Sequence, residues 1–376
     1  MSSEDDRAMD EVARLDPPRP SAVDPAAILR IFRVPPEAEG MRCDVFLQSQ
    51  LRNTSRTRAR AIVLASAYSL AGKPLRPSDR MRGEDRICLW RPPFEEQEAP
   101  EDLRLLYEDA HLLVVDKPPL MTVHPTARHH KHTVIKRLEA QRPHEFLSLV
   151  HRLDRETSGA LLVARSPLAD REFKRLLENR SIEAARGTGA RGKADGMQKT
   201  YLAITWGEPP NGMIDAPLEP DTGNPLRVKM RVAAPRSGLA ARTEVTVLER
   251  RPGYALVACE LHTGRQHQIR VHLASIGCPV VGDKLYGPDE RLLARAADLE
   301  LTEADKLLLE LPRHALHAHR YRLNHALTGE VLDLVSPLPP DLSEFWRSLP
   351  AAADAGNEMP EREGAAVPVD GGSGER

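Results

Sequence analysis

The sequence predicts an α+β protein whose larger domain contains a mixed, largely antiparallel sheet. Its 376 residues, 41% of them hydrophobic, suffice for two domains with ordinary cores and for terminal tails. Short apolar runs of strand length alternate with segments that have a helical period. Neighbouring predicted strands are joined by short connections, which favour antiparallel or mixed pairing over a regular parallel sheet.

Charge is distributed unevenly along the chain. The net charge is −2, yet residues 1–40 and 351–376 each carry −4, so the segment between them carries +6. Within that segment, residues 41–92 contain eleven Lys and Arg residues against four Asp and Glu residues. This local excess predicts a polyanionic partner, because phosphate contacts supply most of the affinity for nucleic acids. A solvated basic surface is the alternative.

The two ends of the chain are predicted to be disordered tails, at residues 1–35 and 351–376, because both are rich in charge and lack a sustained hydrophobic period. The N-terminus lacks the basic and apolar layout of a secretory signal, and no apolar run is long enough to span a bilayer. The four cysteines are scattered, which is typical of buried free thiols. We therefore expect a cytoplasmic monomer with no membrane partner.

Residues 41–92 are predicted to form a small α/β domain. Thr54 and Ser55 are candidate caps for a helix whose arginines, Arg56 and Arg58, lie on its outer face or flank. The predicted elements are helices at 43–51 and 56–66, a turn at 72–74 and a strand at 86–90. An acidic linker at 93–104 follows.

The larger domain is predicted at residues 105–348. Ser166 and Pro167 are the expected cap and first residue of a helix that buries Phe173. Residues 184–197 are rich in glycine and poor in apolar residues, which indicates an inserted flexible loop. The other predicted elements are strands at 111–116, 146–150, 160–163, 200–206, 244–250, 256–262 and 315–323, and helices at 133–141 and 266–276.

Nine residues, His151 to Gly159, interrupt the apolar runs 146–150 and 160–163. They predict a strand, a charged turn and a second strand. Placing Asp154 between two arginines at a strand end is costly unless the acid is used. Reactive side chains also concentrate on loops that a rigid sheet positions. Asp154 is therefore the leading candidate for a functional carboxylate.

Residues 151–159 resemble the active-site motif H-R-L-D-x-x-T-S-G of the RluA-type pseudouridine synthases. Residues 199–203 resemble the K-x-Y-x-A element of that family, and residues 263–273 resemble its motif T-G-R-x-H-Q-I-R-x-H-L. The resemblance covers residues 41–345. It departs from the family at Leu120, where glycine is usual.

This resemblance implies a catalytic domain with an active-site cleft that isomerises uridines of structured RNA to pseudouridine, without a cofactor. The reaction breaks a bond from ribose to nitrogen and remakes it to carbon. It needs a nucleophilic or electrostatically stabilising carboxylate, a proton acceptor and a pocket that retains the detached base. Relatives with such an N-terminal domain mostly act on large-subunit rRNA, so rRNA is the expected partner. Transfer RNA is the alternative.

The resemblance also implies roles for individual side chains. Asp154 is the expected nucleophile, and Arg265 is expected to pair with it and keep it ionised. Tyr201 offers a flat face on which uracil stacks, with its hydroxyl near the edge of the base. Arg152 is expected to fill the space that the flipped base leaves in the RNA.

The segment 41–92 resembles an RNA-binding domain first seen in a small-subunit ribosomal protein. Ser55, Arg56 and Ala59 match its S-R-x-x-A pattern. Arg56, Arg58 and Lys73 are the expected phosphate contacts. A bare basic helical hairpin is the alternative.

Metal binding is not expected. His262, His267 and His272 are five residues apart, which places successive side chains about 140° apart on a helix, so they cannot converge as ligands. Four further histidines between residues 124 and 132 lack a metal-binding pattern. Two rival functions stay open on sequence alone, a metal-dependent hydrolase and a non-catalytic RNA-binding protein.

Overall fold

The structure is a computed structural model that describes residues 17–51, 54–91, 103–125, 131–186, 197–224, 228–234, 237–289, 291–297 and 301–351. It divides into two compact units, Met1–Gln97 with Gly223–Leu226, and Glu98–Thr222 with Arg227–Arg376. Three predicted segments lie mostly outside the described residues: the linker at 93–104, the insertion at 184–197 and the tail at 351–376.

The N-terminal unit packs two helices against a three-stranded antiparallel sheet of order β1-β3-β2. Its described elements are β1 (Ile28–Arg33), α1 (Cys43–Gln50), α2 (Arg56–Ser66), β2 (Ala67–Ser69) and β3 (Arg86–Arg91), with a short 3-10 helix at Pro36–Ala38. The Ser55 side chain accepts a hydrogen bond from the Arg58 backbone N–H at 3.2 Å and so caps α2, as expected. Phe46, Leu47 and Val63 are buried in the core.

The prediction of a disordered tail at 1–35 is wrong over Ile28–Arg33. These residues form β1, which pairs with β3 over its whole length, and Phe32 and the following Val34 are buried. The hydrophobic pattern did not predict this strand, because two arginines stand among its four apolar residues. One of them, Arg30, lies over the Phe32 ring, 4.7 Å from the ring centroid, so this charge covers an apolar side chain.

The second unit is built on a ten-stranded sheet of order β4-β5-β7-β14-β8-β13-β12-β9, with β6 paired to β7 and β15 paired to β14. All of its described pairs are antiparallel except β7 with β14, which is parallel, so the predicted mixed, largely antiparallel sheet is confirmed. Its strands are β4 (Arg104–Glu108), β5 (Leu112–Lys117), β6 (Ser148–Leu149), β7 (Ser158–Ala164), β8 (Gln198–Trp206), β9 (Gly212–Asp215), β12 (Arg242–Arg251), β13 (Tyr254–Leu261), β14 (Leu316–Asn324) and β15 (Val331–Val335). A separate hairpin holds β10 (Leu218–Pro220) and β11 (Met230–Val232).

Six helices are described in this unit: α3 (Val134–Gln141), α4 (Pro167–Arg186), α5 (Gln268–Ser275), α6 (Leu292–Ala297), α7 (Glu303–Leu309) and α8 (Pro340–Ser348). The Ser166 hydroxyl accepts from the Ala169 N–H at 3.1 Å at the start of α4, and Phe173 is buried, as predicted. Among the described residues, no helix has both the length and the apolar content to cross a membrane.

The strand predicted at 146–150, the linker and the turn at Leu120 depart from the expectations. The strand predicted at 146–150 is reduced to Ser148–Leu149, because Phe146 is 43% exposed and adds nothing to the core. Arg104, placed in the linker, is the first residue of β4. Leu120, where the family usually has glycine, adopts a left-handed backbone with φ +64°, so the turn that glycine would favour is made here by leucine.

The centre of the sheet is buried on both faces. Every residue of β7 is buried, and β5 is nearly so, whereas β12 near the edge alternates between buried and exposed positions. At the start of β7, Gly159 lies opposite Ala318 of β14 in the single parallel pairing. Its φ is +110°, and a Cβ there would lie 2.3 Å from the Ala318 carbonyl oxygen. The approach of the two strands therefore requires glycine.

Replacing Gly159 with alanine is expected to destabilise the second unit by more than about 4 kcal/mol, because the new methyl group cannot coexist with the Ala318 backbone. Gly253→Ala is the matched control. Gly253 also has a positive φ, +78°, but open space around the added Cβ, so its cost is the backbone strain alone, about 1–2 kcal/mol. Denaturant unfolding followed by circular dichroism measures both. Equal stability of the two variants would contradict the proposed clash.

Candidate active site

The charged turn at 151–159 leads into β7 and places Asp154 in an open cleft. The Thr157 N–H donates to the Asp154 carbonyl oxygen at 3.1 Å and closes the turn. The cleft has an empty volume of about 400 Å³, part of it open to solvent. Its lining combines charged, polar and apolar side chains: Arg152, Leu153, Asp154, Thr157, Tyr201, Leu261, Arg265, His267, Gln268, Ile269, Arg270 and Leu316.

A fully buried lysine fixes one side of this turn. Lys117, at the end of β5, donates from Nζ to the carbonyl oxygens of Pro118, Met121 and Arg155, at 2.8, 2.8 and 3.2 Å. Burial lowers the pKa of Lys117 to about 7, and the charge of Arg313 adds to the effect. The lysine holds the backbone next to Asp154 through carbonyl groups and makes no ion pair with a carboxylate in the described chain.

Residues before and within β14 fix the other side. The Glu156 carboxylate accepts from Lys284 Nζ at 2.8 Å and from the His314 backbone N–H at 3.0 Å. Arg313, 1% exposed, donates to the Glu156 carbonyl oxygen at 3.1 Å. Thr157 Oγ1 lies 2.8 Å from His314 Nε2. The turn is therefore held at Arg155, Glu156 and Thr157, the three residues that follow Asp154.

Arg270 is the cationic partner of Asp154. Its Nη1 donates to Asp154 Oδ2 at 2.9 Å, while Nε and Nη2 donate to the two oxygens of Asp283 at 2.6 and 2.8 Å. Asp283 is fully buried and Arg270 is 7% exposed. The two-point contact with Asp283 orients the guanidinium, which leaves Nη1 directed at Asp154.

This arrangement keeps Asp154 ionised. Burial alone would raise the pKa of Asp154, but the charge and the hydrogen bond of Arg270 bring it below its ordinary value. Burial likewise raises the pKa of Asp283, and Arg270 again outweighs it, so that the pKa lies well below the usual range. Both acids are therefore charged at neutral pH.

The predicted pairing of Arg265 with Asp154 is wrong. Arg265 lines the cleft, but its Nε donates to the Ala240 carbonyl oxygen at 3.0 Å, and no described ion pair joins it to Asp154. The predicted helix at 266–276 starts later, at Gln268, because His267 has a left-handed backbone with φ +55°. This bend leaves Arg265 outside the helix and places Arg270 within it.

Arg270 and Asp283 were missed although both belong to segments that resemble the family. The signal was present in the sequence, since Arg270 lies between Ile269 and Val271 in an apolar helix. All three side chains are buried. A buried arginine needs a carboxylate partner, so its position predicts one.

Tyr201 lines the cleft from β8, as predicted, and is 7% exposed. Its hydroxyl lies 3.1 Å from that of Tyr321. Burial raises the pKa of Tyr201 to about 12, so the phenol stays protonated. The hydroxyl expected at the edge of a base is thus engaged with a neighbouring tyrosine, and the ring is the part that remains for stacking.

Arg152 and three apolar residues shape the rest of the cleft. Arg152 is exposed beside Asp154, while Leu261, Ile269 and Leu316 are buried and contribute apolar wall. An ionised carboxylate between an aromatic ring and aliphatic walls suits a flat, uncharged ligand.

The other predicted RNA contacts lie in the N-terminal unit. Arg56, Arg58 and Lys73 are exposed. Arg56 Nε lies 3.8 Å from Asp44, a buried acid that already pairs with Arg42 at 2.9 Å, so positive charge remains on this surface.

The histidines of the second unit make separate contacts. His272 hydrogen-bonds through both ring nitrogens, to Thr243 and to the Ala216 carbonyl oxygen, and His262 lies 3.3 Å from Glu244. In the described part of the chain, no three His, Cys, Asp or Glu residues are grouped as metal ligands. His129 and His130 lie outside that part. All four cysteines are free and buried.

Comparisons with known proteins identify the family of this chain. The family model described as RNA pseudouridylate synthase matches residues 111–275. The chain is 33% identical to a "Ribosomal large subunit pseudouridine synthase D" of Xanthomonas campestris, over 85% of this chain and 92% of that protein. It is 31% identical to a protein of the same name from Nitrosomonas europaea, over 84% and 86%. It is 30% identical to an "Uncharacterized RNA pseudouridine synthase YlyB" of Bacillus subtilis, over 83% and 95%.

The matched segment runs from β5 to the end of α5 and contains Asp154, Tyr201 and Arg270. Relatives at this level of identity extend over most of the chain. The chain therefore belongs to the RluA-type family of RNA pseudouridine synthases and is an isomerase that acts on RNA.

Proposed function

We propose that this enzyme isomerises uridines of large-subunit rRNA with Asp154 as the catalytic nucleophile. The observation that carries the proposal is the ionised Asp154 carboxylate, held in a cleft by Arg270 while the next two residues, Arg155 and Glu156, are held through their carbonyl oxygens. The rRNA target is supported by the names of relatives that match over most of their length, both called ribosomal large subunit pseudouridine synthase D. Transfer RNA stays the alternative substrate.

The chemistry defines what the cleft does. The bond from N1 of uracil to the ribose breaks, a bond from C5 forms, a proton leaves C5 and N1 gains one, so atoms and electrons balance without a co-reactant. Asp154 supplies the nucleophile for this exchange. Tyr201 and the apolar wall retain the detached base, and Arg152 occupies the gap in the RNA that a flipped nucleotide leaves.

The N-terminal unit supplies affinity in this proposal. Arg56, Arg58 and Lys73 contact phosphates of the RNA, and they belong to a different compact unit from Asp154. Binding strength and chemistry therefore depend on separate sets of residues.

Asp154→Asn is expected to abolish pseudouridine formation, because the amide keeps the size of the side chain but removes the nucleophile. Folding should persist, since Arg270 retains both contacts to Asp283. Asp333→Asn, the same change at an exposed position of β15, is the control and should keep the wild-type rate.

Pseudouridine is mapped in rRNA and tRNA from cells that lack the gene and carry either variant. Restoration by Asp154→Asn would refute the role of Asp154. Restored sites in tRNA alone would refute the rRNA target.

Arg270→Gln is expected to make the enzyme sensitive to acid. In the wild type the pKa of Asp154 is lowered, so the active carboxylate is lost only as the pH falls below the ordinary range of aspartate. Without Arg270, burial dominates, the pKa of Asp154 rises, and the acid limb of the single-turnover rate moves to higher pH. Arg265→Gln removes another arginine of the cleft and should leave the acid limb in place. A shifted acid limb in Arg265→Gln, or an unshifted one in Arg270→Gln, would contradict the assignment of Arg270 as the partner of Asp154.

Alanine substitutions at Arg56, Arg58 and Lys73 are expected to weaken RNA binding uniformly. Each should lower the slope of log affinity against log salt by about one, because fewer counterions are released on binding. Arg33→Ala is the control, since Arg33 is already paired with Glu84. Affinity is measured at several salt concentrations, together with the rate at saturating RNA. An unchanged slope in the triple variant, or a saturated rate ten times slower, would exclude the proposed role.

A further inference from the structure

His267 stands beside Asp154 and is not needed by the contacts described so far. Its Nε2 lies 3.8 Å from Asp154 Oδ2, the same oxygen that accepts from Arg270 Nη1. Within the described residues, the hydrogen bond and the ion pairs of this carboxylate are all made at Oδ2. No such partner is described for Oδ1 of Asp154, a residue that lines the cleft.

The backbone of His267 carries strain that its local structure does not explain. It is a non-glycine residue with φ +55° directly before α5, and its side chain makes no capping hydrogen bond to that helix. Such conformations persist where the surrounding structure enforces them and concentrate at functional sites. The imidazole is directed instead at Asp154 on one side and at Tyr286 on the other.

Tyr286 determines which ring nitrogen carries the proton. The Met230 N–H donates to the Tyr286 hydroxyl oxygen at 2.8 Å, and this hydroxyl lies 2.9 Å from His267 Nδ1. Among the described contacts, the acceptor available to the Tyr286 O–H is His267 Nδ1. A neutral imidazole that accepts at Nδ1 carries its hydrogen on Nε2. The Nε2–H group therefore faces Asp154.

The surroundings keep this ring neutral. Burial, together with the charges of Arg270 and Arg152, lowers the pKa of His267 to about 4, although the charges of Asp154 and Asp283 oppose the shift. At neutral pH His267 is a hydrogen-bond donor towards the carboxylate and cannot serve there as a base.

We propose that His267 is a positioning residue that closes onto Asp154 Oδ2 when RNA occupies the cleft, so that Arg270 and His267 together hold Oδ2 and present Oδ1 as the reacting oxygen. Hydrogen bonds in unoccupied active sites are often long and shorten in the complex with substrate. A closure of about 1 Å suffices to bring 3.8 Å within hydrogen-bonding range. The inference rests on the proposed role of Asp154.

The test compares His267→Ala with His267→Gln in the full-length protein. Both replacements bear a Cβ and share the backbone strain, but only glutamine offers an N–H close to the position of Nε2. The probe is total RNA from cells that lack the gene, labelled with tritium at uracil C5, and the single-turnover rate is read from tritium release. Losing a hydrogen bond to a charged group predicts a rate roughly 10- to 100-fold slower for alanine at unchanged RNA affinity. Glutamine should recover most of that loss.

Tyr286→Phe tests whether the hydrogen bond from the Tyr286 hydroxyl holds the His267 ring in place. It should slow the reaction in the wild type and have no further effect in the His267→Ala background. The rate of His267→Ala should also run parallel to that of the wild type between pH 5.5 and 9, because a neutral donor contributes no titration there.

Four results would overturn the inference. His267→Ala could react at the wild-type rate, or His267→Gln could be as slow as His267→Ala. Tyr286→Phe could slow the reaction further in the His267→Ala background, or the rate of His267→Ala could lose a pH dependence that the wild type shows between pH 5.5 and 9. An inactive Asp154→Asn beside a fully active His267→Ala would refute the role of His267 and leave that of Asp154 intact.

Discussion

The active site depends on one cation shared by two carboxylates. Arg270 is buried in α5, and Asp283 takes two of its donors, so the third has a fixed direction towards Asp154. The segment that carries Asp283 is itself fixed, because at the preceding Gly282 a Cβ would lie 2.1 Å from the Arg313 carbonyl oxygen. Arg313 in turn holds the Glu156 carbonyl. Arg313 therefore lies against the segment that carries Asp283 and also holds the turn that bears Asp154.

The acids around the turn differ in how they are paired. Lys117 is bound by carbonyl oxygens, and Lys284 neutralises Glu156. Asp283 is paired with Arg270 through two hydrogen bonds, whereas Asp154 accepts one from the same guanidinium. The Asp154 side chain is 27% exposed, so this carboxylate is ionised by Arg270 and still accessible from the cleft.

Much of this site was predictable from sequence, and the exception is instructive. The charged turn between two apolar runs identified Asp154, and the pattern around Tyr201 placed it on a strand. The partner arginine was assigned to Arg265 from the family resemblance, whereas the structure leaves Arg265 before α5 and bonds Asp154 to Arg270 within it. The left-handed backbone of His267, which starts α5 at Gln268, leaves no trace in the hydrophobic pattern. The strand Ile28–Arg33 was missed because Arg30 interrupts its apolar run, although in the structure this arginine covers the Phe32 ring.

The single parallel pairing in the sheet explains why the site lies where it does. In an antiparallel pair the start of one strand lies beside the end of its neighbour, whereas parallel pairing brings two starts together. Ser158 and Gly159 at the start of β7 thus lie beside His317 and Ala318 at the start of β14. The segments that enter these strands, 151–157 and 313–315, therefore reach the sheet at the same end of the two strands. For this reason Arg313 and His314 contact the turn of Asp154, and an all-antiparallel order would have separated them.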